Sequence, residues 1–223
     1  MNKERNIIIV CEDTYGLDVF SMIEAINTHA LRDGVIRYRV LGFLHERPDS
    51  WKGLTPPAPV LGSVSDWTCD LKTSYVMAIR VPDQKRIAAD ILKKCGAQFE
   101  TIIAPWVQVP SEFEHGEGCV IANYMFKNNS KFGDFVIMDS CICEAVKIGD
   151  YTTIGPFVNI TSAAIGNDVY IGTHAAIIPG RRVGDNVTIN PGSIVMNNLR
   201  DGVHVAGIPA SRNLKKWEVM KNE

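Results

Sequence analysis

The hydrophobic pattern of the first hundred residues alternates between short apolar runs and segments with helical spacing. Four stretches have the composition of buried strands: NIIIV, YRVLGFL, YVMAIR and FETIIAP. GLDVFSMIEAINTHAL carries apolar residues at helical spacing, and PDQKRIAADILKKCG reads as a second helix that Pro82 opens and Gly96 ends. Strands separated by helices pair in parallel through crossover helices, so this region predicts a small α/β domain.

After Pro105 a period of six residues replaces the helical one. This period predicts a parallel β-helix in which each hexad is one short strand and one corner. We expect the aliphatic residues to fill its interior, and Gly or Asn to accept the backbone angles of the corners. The aliphatic positions, in steps of six with a single step of five, are Ile142, Ile148, Ile154, Ile160, Ile165, Ile171, Ile177, Val183, Ile189 and Val195.

Composition and charge narrow the range of partners. The net charge of -2 and the lack of a dense Lys/Arg block argue against nucleic acid or an anionic membrane surface. The apolar run from Ile7 to Cys11 is too short for a signal-peptide core or a membrane span, so we expect a cytoplasmic protein without membrane insertion. The six cysteines are scattered, which favours free thiols, and no metal site is expected at Cys141 and Cys143.

Several stretches resemble known acyltransferases. One stretch reads IGTHAAIIPGRRVGDNVTINPGSIVMNNLRDGVHVAGIPASR and contains VAGIPA near its end. It is similar to the closing coils of the hexapeptide-repeat acyltransferases. Three stretches of the N-terminal half are VLGFLHERPDSWKG, APVLGSVSDW and the block from YVMAIR to FETIIAP. They resemble the sugar O- and N-acyltransferases. This family includes sialic-acid O-acetyltransferase-like and bacillosamine N-acetyltransferase-like proteins. The resemblance implies an α/β N-terminal Rossmann-like domain over residues 1–103, a C-terminal left-handed parallel β-helix (hexapeptide repeat) over 104–203, and a capping tail over 204–223.

The same resemblance implies an acyl-CoA-dependent enzyme, with acetyl-CoA as donor and an amine or hydroxyl of a sugar or nucleotide-sugar as acceptor. The family binds acetyl-CoA in a groove between two subunits, so a homotrimer is expected. By resemblance, the CoA contacts lie near Gly172, Ala175, Gly180 and Ala206, with Lys215 as a candidate partner for a phosphate.

The catalytic position departs from the family pattern. Acyl transfer needs a base near the nucleophile, and the family places a histidine followed by an acid four residues before an aliphatic-Gly pair. Counted back from Ile148 and Gly149, that position holds Glu144, followed by Ala145. Glu144 acts as the base if burial raises its pKa, and otherwise it is a solvated side chain on the outer wall. His174, inside the regular repeat, is the second candidate.

The acceptor side departs as well. Where the family has a Gly-rich phosphate-binding turn, this chain has CEDTYG at 11–16, and its carboxylates would repel a phosphate. Asp13 or Thr14 can cap the following helix instead. We place the candidate acceptor contacts at Asp13, Tyr15 and Gly16, with His45 and Glu46 at a neighbouring strand end, where an ordinary polar loop is the alternative interpretation.

Two other functions stay open at this point. The missing histidine is compatible with a non-catalytic homologue that keeps the β-helix as a binding or scaffolding module. The acidic turn is compatible with an acyltransferase whose acceptor is a small molecule other than a sugar. Fold alone does not separate these possibilities, because function is determined by the site.

Overall fold

The computed structural model describes residues 4–33, 37–110, 112–122, 124–127 and 130–212. The N-terminal part is a parallel sheet with two helices and one 3₁₀ turn. Its elements are β1 Glu4–Cys11, α1 Tyr15–Asp33, β2 Arg37–His45, the 3₁₀ turn Pro48–Trp51, β3 Val60–Gly62, β4 Thr73–Ala78, α2 Pro82–Lys94 and β5 Gln98–Phe99.

The order of strands in this sheet is β3-β2-β1-β4-β5, and every pair is parallel, as the alternating pattern predicted. The chain adds strands in one direction after β1 and in the other after β4. The loops that follow β1 and β4 therefore diverge and leave a crevice at their carboxyl ends, which is where open α/β sheets bind ligands.

The C-terminal part is built from short strands in three sheets, in which all pairs are parallel except β21 with β22. One sheet has the order β22-β21-β19-β16-β13-β10-β7-β6, the second β20-β17-β14-β11-β8, and the third β18-β15-β12-β9. The strands are β6 Ile102–Ile103, β7 Val120–Ile121, β8 Tyr124–Lys127, β9 Lys131–Phe132, β10 Ile137–Met138, β11 Cys141–Glu144, β12 Lys147–Ile148, β13 Thr153–Ile154, β14 Asn159–Thr161, β15 Ala164–Ile165, β16 Tyr170–Ile171, β17 Ala176–Ile177, β18 Arg182–Val183, β19 Thr188–Ile189, β20 Ile194–Val195, β21 His204–Ala206 and β22 Ser211–Arg212.

From β7 to β20, consecutive strands visit the three sheets in turn, so three strands make one coil of a parallel β-helix, as the six-residue period predicted. The strand predicted in FETIIAP is divided between the two parts of the molecule. Gln98–Phe99 joins the first sheet through β4, whereas Ile102–Ile103 pairs with β7 in the β-helix. The division falls at Glu100 and Thr101, the two polar residues between Phe99 and Ile102.

The predicted aliphatic column forms the interior with one exception. From Ile148 to Val195 its members are at most 5% exposed, but Ile142 is 43% exposed. Ile142 pairs with Asn159, and its neighbour Cys143 pairs with the buried Ile160. Placing Ile142 in the column was therefore wrong by one residue, because the step from 143 to 148 is five residues, like the step from 160 to 165.

The glycines of the repeat act differently from the prediction. Positive φ angles occur three residues after the aliphatic position, mostly at non-glycine residues such as Tyr151 (57°) and His174 (57°). Gly149, directly after Ile148, has no positive φ, but a Cβ there would lie 2.6 Å from the carbonyl carbon of Gly166 in the next coil. These glycines thus allow close stacking of coils.

A ladder of side-chain oxygens follows these glycines along one corner of the β-helix, and we call it the aspartate ladder. In each rung an Oδ1 atom accepts a hydrogen bond from the backbone amide of a residue one coil earlier, at 2.7–3.0 Å. The ladder satisfies corner amides that the sheets leave unpaired. Its acceptors are Asp134, Asp150, Asn167, Asp185 and Asp201.

Helix α2 attaches the α/β part to the β-helix. Lys85 is fully buried, and its Nζ donates to Thr153 Oγ1 at 2.8 Å. Burial lowers the pKa of Lys85 to about 7, against a smaller opposing effect of Cys119 and Asp168. Beside it, Arg86 makes two hydrogen bonds to the Asp168 carboxylate. This contact holds the helix in register with the coils.

Cysteine usage differs from the prediction at one pair. Cys69 and Cys95 form a disulfide with their Cα atoms 5.8 Å apart, so the expectation of free thiols was wrong for these two. The pairing is tertiary, between the loop before β4 and the end of α2, and no sequence spacing reveals it. Cys11 and Cys119 are free and buried, and Cys141 is buried as well. No helix in the described part of the chain is long and apolar enough to cross a membrane.

Candidate functional site

A cavity of about 450 Å³ lies where the crevice of the parallel sheet meets one corner of the β-helix. We call it the junction cavity. The α/β part contributes Tyr15 and Asp18 from α1 and Arg80 from the loop after β4, and the β-helix contributes Asp139 and Pro156 from successive coils. It therefore brings titratable groups from both parts of the molecule to one concave surface. Ligand sites in folded proteins are typically concave and lined by a few polar groups.

Asp139 is the carboxyl group that the β-helix offers to this cavity. It directly follows β10, and its backbone amide donates to the carbonyl oxygen of Ile154 in the next coil at 3.1 Å, which fixes its position. Burial raises the pKa of the Asp139 carboxyl, with further increases from Asp18 and Asp13 that are opposed by Tyr15 and Arg80. The pKa of this carboxyl is thus higher than that of an ordinary surface aspartate.

Tyr15 lies beside Asp139 on the opposite wall. Its side chain is 4% exposed, and the hydroxyl has no hydrogen-bond partner of good geometry among the described residues. Burial, and next the charge of Asp139, raise the pKa of Tyr15 well above its usual value, so the phenol stays protonated. The Arg80 guanidinium lies 5.0 Å from the centre of the Tyr15 ring and packs against its face.

Asp13 closes the first turn of α1. Its Oδ1 accepts from the Tyr15 amide at 2.8 Å, which confirms the predicted cap, and its Oδ2 pairs with Arg80 at 2.8 Å. At Gly16, a Cβ would lie 2.7 Å from the Cys11 sulfur, so the residue is small for packing against β1. The N-terminus of α1 is therefore already occupied by an anion from the chain itself.

His45 and Glu46 lie outside the junction cavity and hold the segment after β2. His45 is 2% exposed, its Nδ1 accepts from the Arg47 amide at 3.0 Å, and burial lowers its pKa. Its ring packs edge-on against Trp51 at 4.3 Å. Glu46 accepts a hydrogen bond from the Val64 amide at 2.6 Å. Both side chains are engaged in local contacts.

The two residues predicted for catalysis do not line the junction cavity. Glu144 ends β11, opposite Thr161, and is partly exposed. At ~3.3 Å per residue it lies ~13 Å along the strand from Ser140 at the cavity wall. His174 is exposed at a corner, where its ring stacks on Phe157 at 4.9 Å. The structure therefore places the two on different coils.

The residues predicted for CoA, apart from Lys215, lie on the later coils of the β-helix. Gly172 is buried, and a Cβ there would lie 2.5 Å from the backbone nitrogen of Pro191, so it serves close stacking. Ala175 is buried nearby, Gly180 is an exposed corner with φ of 80°, and Ala206 lies in β21. Lys215 lies outside the described residues.

Sequence reasoning missed Asp139, Arg80 and Asp18. Arg80 is the last residue of the predicted strand YVMAIR, and Asp139 follows the apolar run FVIM. A charged residue directly after a buried strand was the available signal, because strand ends line ligand sites. No group of three or more His, Cys, Asp or Glu side chains that could hold a metal ion occurs in the described ranges.

Among known sequences, no protein-family model matches the chain. The galactoside O-acetyltransferase of Escherichia coli is 31% identical over 123 residues, which are 47% of this chain and 57% of that protein. The bifunctional protein GlmU of Staphylococcus haemolyticus is 30% identical over 123 residues, 48% of this chain and 27% of GlmU. The chain thus spans little more than half of the first relative and about a quarter of the second.

Solved structures match nearly the whole chain. The acetyltransferase domain of PglB from Neisseria gonorrhoeae, determined with acetyl coenzyme A, has a TM-score of 0.78 at 21% identity and covers 94% of this chain and 100% of that one. PerB from Caulobacter crescentus, determined with CoA and GDP-perosamine, has a TM-score of 0.79 at 20% identity, with coverage of 93% and 97%. The chain therefore shares the fold of these acetyltransferases, and its predicted resemblance to the hexapeptide-repeat sugar acyltransferases is confirmed.

Proposed function

We propose that this protein is an acyltransferase that uses acetyl-CoA and acylates an amine or hydroxyl of a sugar or nucleotide-sugar. The observation that carries the proposal is the junction cavity, where the crevice of a parallel sheet opens onto the β-helix. PerB shares the fold of this protein over 93% of the chain, and its structure was determined with CoA and GDP-perosamine. A donor and an acceptor bound to the two parts of one chain would meet at such a cavity.

The acceptor is assigned to the α/β part, over residues 1–103, and the acyl-CoA to the β-helix, over 104–203. Asp13, Tyr15 and Gly16 lie at the carboxyl end of β1, and Tyr15 lines the junction cavity with Asp139, so these three remain the proposed acceptor contacts. Gly172, Ala175, Gly180 and Ala206 remain the proposed CoA contacts, through backbone groups that stacked coils expose.

A homotrimer is part of the proposal. The outer face of the second sheet of the β-helix is mostly apolar, because Ile142, Ala176 and Ile194 pair side by side with Asn159 among them. Ile142 is 43% exposed, and Met196 beyond β20 is 42% exposed. A second copy covering this face would bury them and form the groove between subunits in which the donor is expected.

An acceptor without a phosphate is the second candidate. It is favoured by Asp13, which caps α1 and pairs with Arg80, so that the helix N-terminus and the nearest cation are both satisfied within the chain. A nucleotide pyrophosphate would have to displace this carboxylate or bind elsewhere.

Thiol release from acetyl-CoA tests the function directly. We expect turnover with at least one member of a panel of amino-sugars, amino-sugar nucleotides and non-sugar amines, and a raised melting midpoint with CoA alone. Turnover with free amines but with no nucleotide-sugar would select the second candidate. Absence of both turnover and CoA-dependent stabilisation across the panel would contradict the acyltransferase proposal and favour a binding module.

A further inference from the structure

We propose that Asp139 is the general base of the acyl transfer and that Tyr15 positions the acceptor against it. This inference rests on the acyltransferase function proposed above and names the residue that takes the proton. It moves the catalytic centre from the position predicted by sequence register, Glu144 at the end of β11, to the corner that precedes this strand.

The first argument is location. Asp139 is held at a rigid corner, since its amide donates to Ile154 and the following Ser140 carbonyl accepts from Phe157 in the next coil. Its carboxyl group faces the loop after β4 across the junction cavity, where Arg80 reaches it electrostatically. A base must be fixed relative to the nucleophile, and a stacked β-helix corner provides that rigidity.

The second argument is an unused hydroxyl. Tyr15 is almost fully buried at the cavity wall, yet its hydroxyl completes no hydrogen bond of good geometry with the described residues. Buried polar groups normally have partners, and such exceptions point to a ligand or a functional role. The hydroxyl lies close enough to the Asp139 carboxyl to lower its pKa, and a polar acceptor that contacts both groups would supply the well-aligned partner that the hydroxyl lacks.

The third argument concerns the charges that face Asp139. Asp18 and Tyr15 lie on α1, and Arg80 is bound to Asp13 at 2.8 Å, so one cation is shared between carboxylates. Burial and the neighbouring acids raise the pKa of the Asp139 carboxyl, which makes it a stronger proton acceptor than a solvated aspartate.

The reaction then balances without any further reactant. As the acceptor nitrogen or oxygen attacks the thioester carbonyl, its proton passes to the Asp139 carboxylate and the new C–N or C–O bond forms. The C–S bond breaks as the tetrahedral intermediate collapses, and the leaving thiolate takes the proton from Asp139 to give CoA thiol. Asp139 ends the cycle ionised.

The experiment compares three isosteric substitutions in the full chain: Asp139→Asn, Glu144→Gln and Asp150→Asn. Asp150 belongs to the aspartate ladder and serves as the matched control, because it is also a β-helix aspartate but lies at a different corner. We expect Asp139→Asn to lower kcat/KM by about 100- to 1000-fold, and the other two to change it by less than about threefold. Melting midpoints verify that each variant folds.

A second variant keeps the carboxylate and tests the assignment by pH. The Tyr15 hydroxyl lowers the pKa of Asp139, so Tyr15→Phe should shift the acid limb of the kcat/KM profile to higher pH. A purely structural role of Tyr15 would lower activity without moving the limb.

The outcomes separate the two proposals. If the wild type shows no turnover, the acyltransferase function fails. If it turns over but Asp139→Asn retains activity within threefold, or Tyr15→Phe leaves the limb in place, Asp139 is not the base. Loss of activity in Glu144→Gln alone would return the role to the position that the sequence register indicated.

Discussion

Two corners of the same β-helix carry aspartates in opposite situations. At the corner between β12 and β13, Asp150 accepts a hydrogen bond from the Asp134 amide at 2.9 Å, as a member of the aspartate ladder. At the corner between β10 and β11, Asp139 faces a cavity and the hydroxyl of Tyr15. The residue type is the same, yet one carboxylate satisfies the scaffold and the other is available to a ligand.

The difference shows how a repetitive fold separates structure from chemistry. In the ladder, each oxygen replaces a backbone acceptor that the corner lacks, so the side chain belongs to the hydrogen-bond network of the coils. Asp139 contributes only its backbone groups to stacking, which leaves its side chain free to face another element. The α/β part provides that element through α1 and the loop after β4.

The largest loss of stability is expected for a substitution of Gly149, which lies at the corner that carries the aspartate ladder. A Cβ at Gly149 would meet the backbone of Gly166 at 2.6 Å, and backbone atoms of a stacked coil cannot move aside. We expect Gly149→Ala to lower the free energy of unfolding by about 3 kcal/mol, measured by chemical denaturation.

Gly180→Ala is the matched control for that substitution. Gly180 has a φ of 80° but open space around the added atom, so only backbone strain applies, at about 1 kcal/mol. An equal or larger loss at Gly180 would show that backbone angle, rather than coil spacing, determines the glycine positions.

The second prediction extends the comparison to a buried cation. Lys85 is fully buried, with a pKa lowered to about 7, whereas the unfolded chain binds its proton up to about pH 10.4. Between these values the unfolded state holds more protons, so this group makes stability increase with pH. The advantage of Lys85→Met over wild type should therefore shrink by about 2.5 kcal/mol between pH 7 and pH 9.

Urea titrations at several pH values measure this slope. Taking the difference between variant and wild type removes the contribution of the buried cysteines, whose thiols begin to ionise in this region in the unfolded chain only, since burial raises their pKa in the folded protein. Lys94→Met, on the exposed side of the same helix, is the control and should show no such slope. A pH-independent difference for Lys85→Met would mean that Lys85 stays charged in the folded protein.

The fold was largely predictable because it is periodic. Ile148, Ile154 and Ile160 recur with a spacing that only stacked coils explain, and the structure buries all three. The prediction failed at Ile142, where a further step of five residues, from 143 to 148, shifts the register by one residue, and a one-residue shift moves a side chain from inside to outside.

The candidate site was less predictable, since it depends on contacts between the two parts of the chain. Tyr15 and Asp139 are 124 residues apart, and nothing in their local patterns indicates that α1 packs on this corner. Asp13 was foreseen as a helix cap because capping is local, whereas its pairing with Arg80 is not. Local chemistry is readable from sequence, and its tertiary partners are not.

The smallest expected effect sharpens the comparison at a single rung of the ladder. Asp150→Ala removes the oxygen that accepts from the Asp134 amide and leaves that partly buried donor without its partner, at a cost of about 1–2 kcal/mol. Asp150→Asn keeps an Oδ1 acceptor, and Asn167 already fills a neighbouring rung with an amide, so we expect less than about 0.5 kcal/mol. Chemical denaturation of both variants measures the difference. Equal losses of stability in the two variants would show that the ladder requires a negative charge rather than an acceptor atom. Asp150 and Asp139 would then differ only in their surroundings.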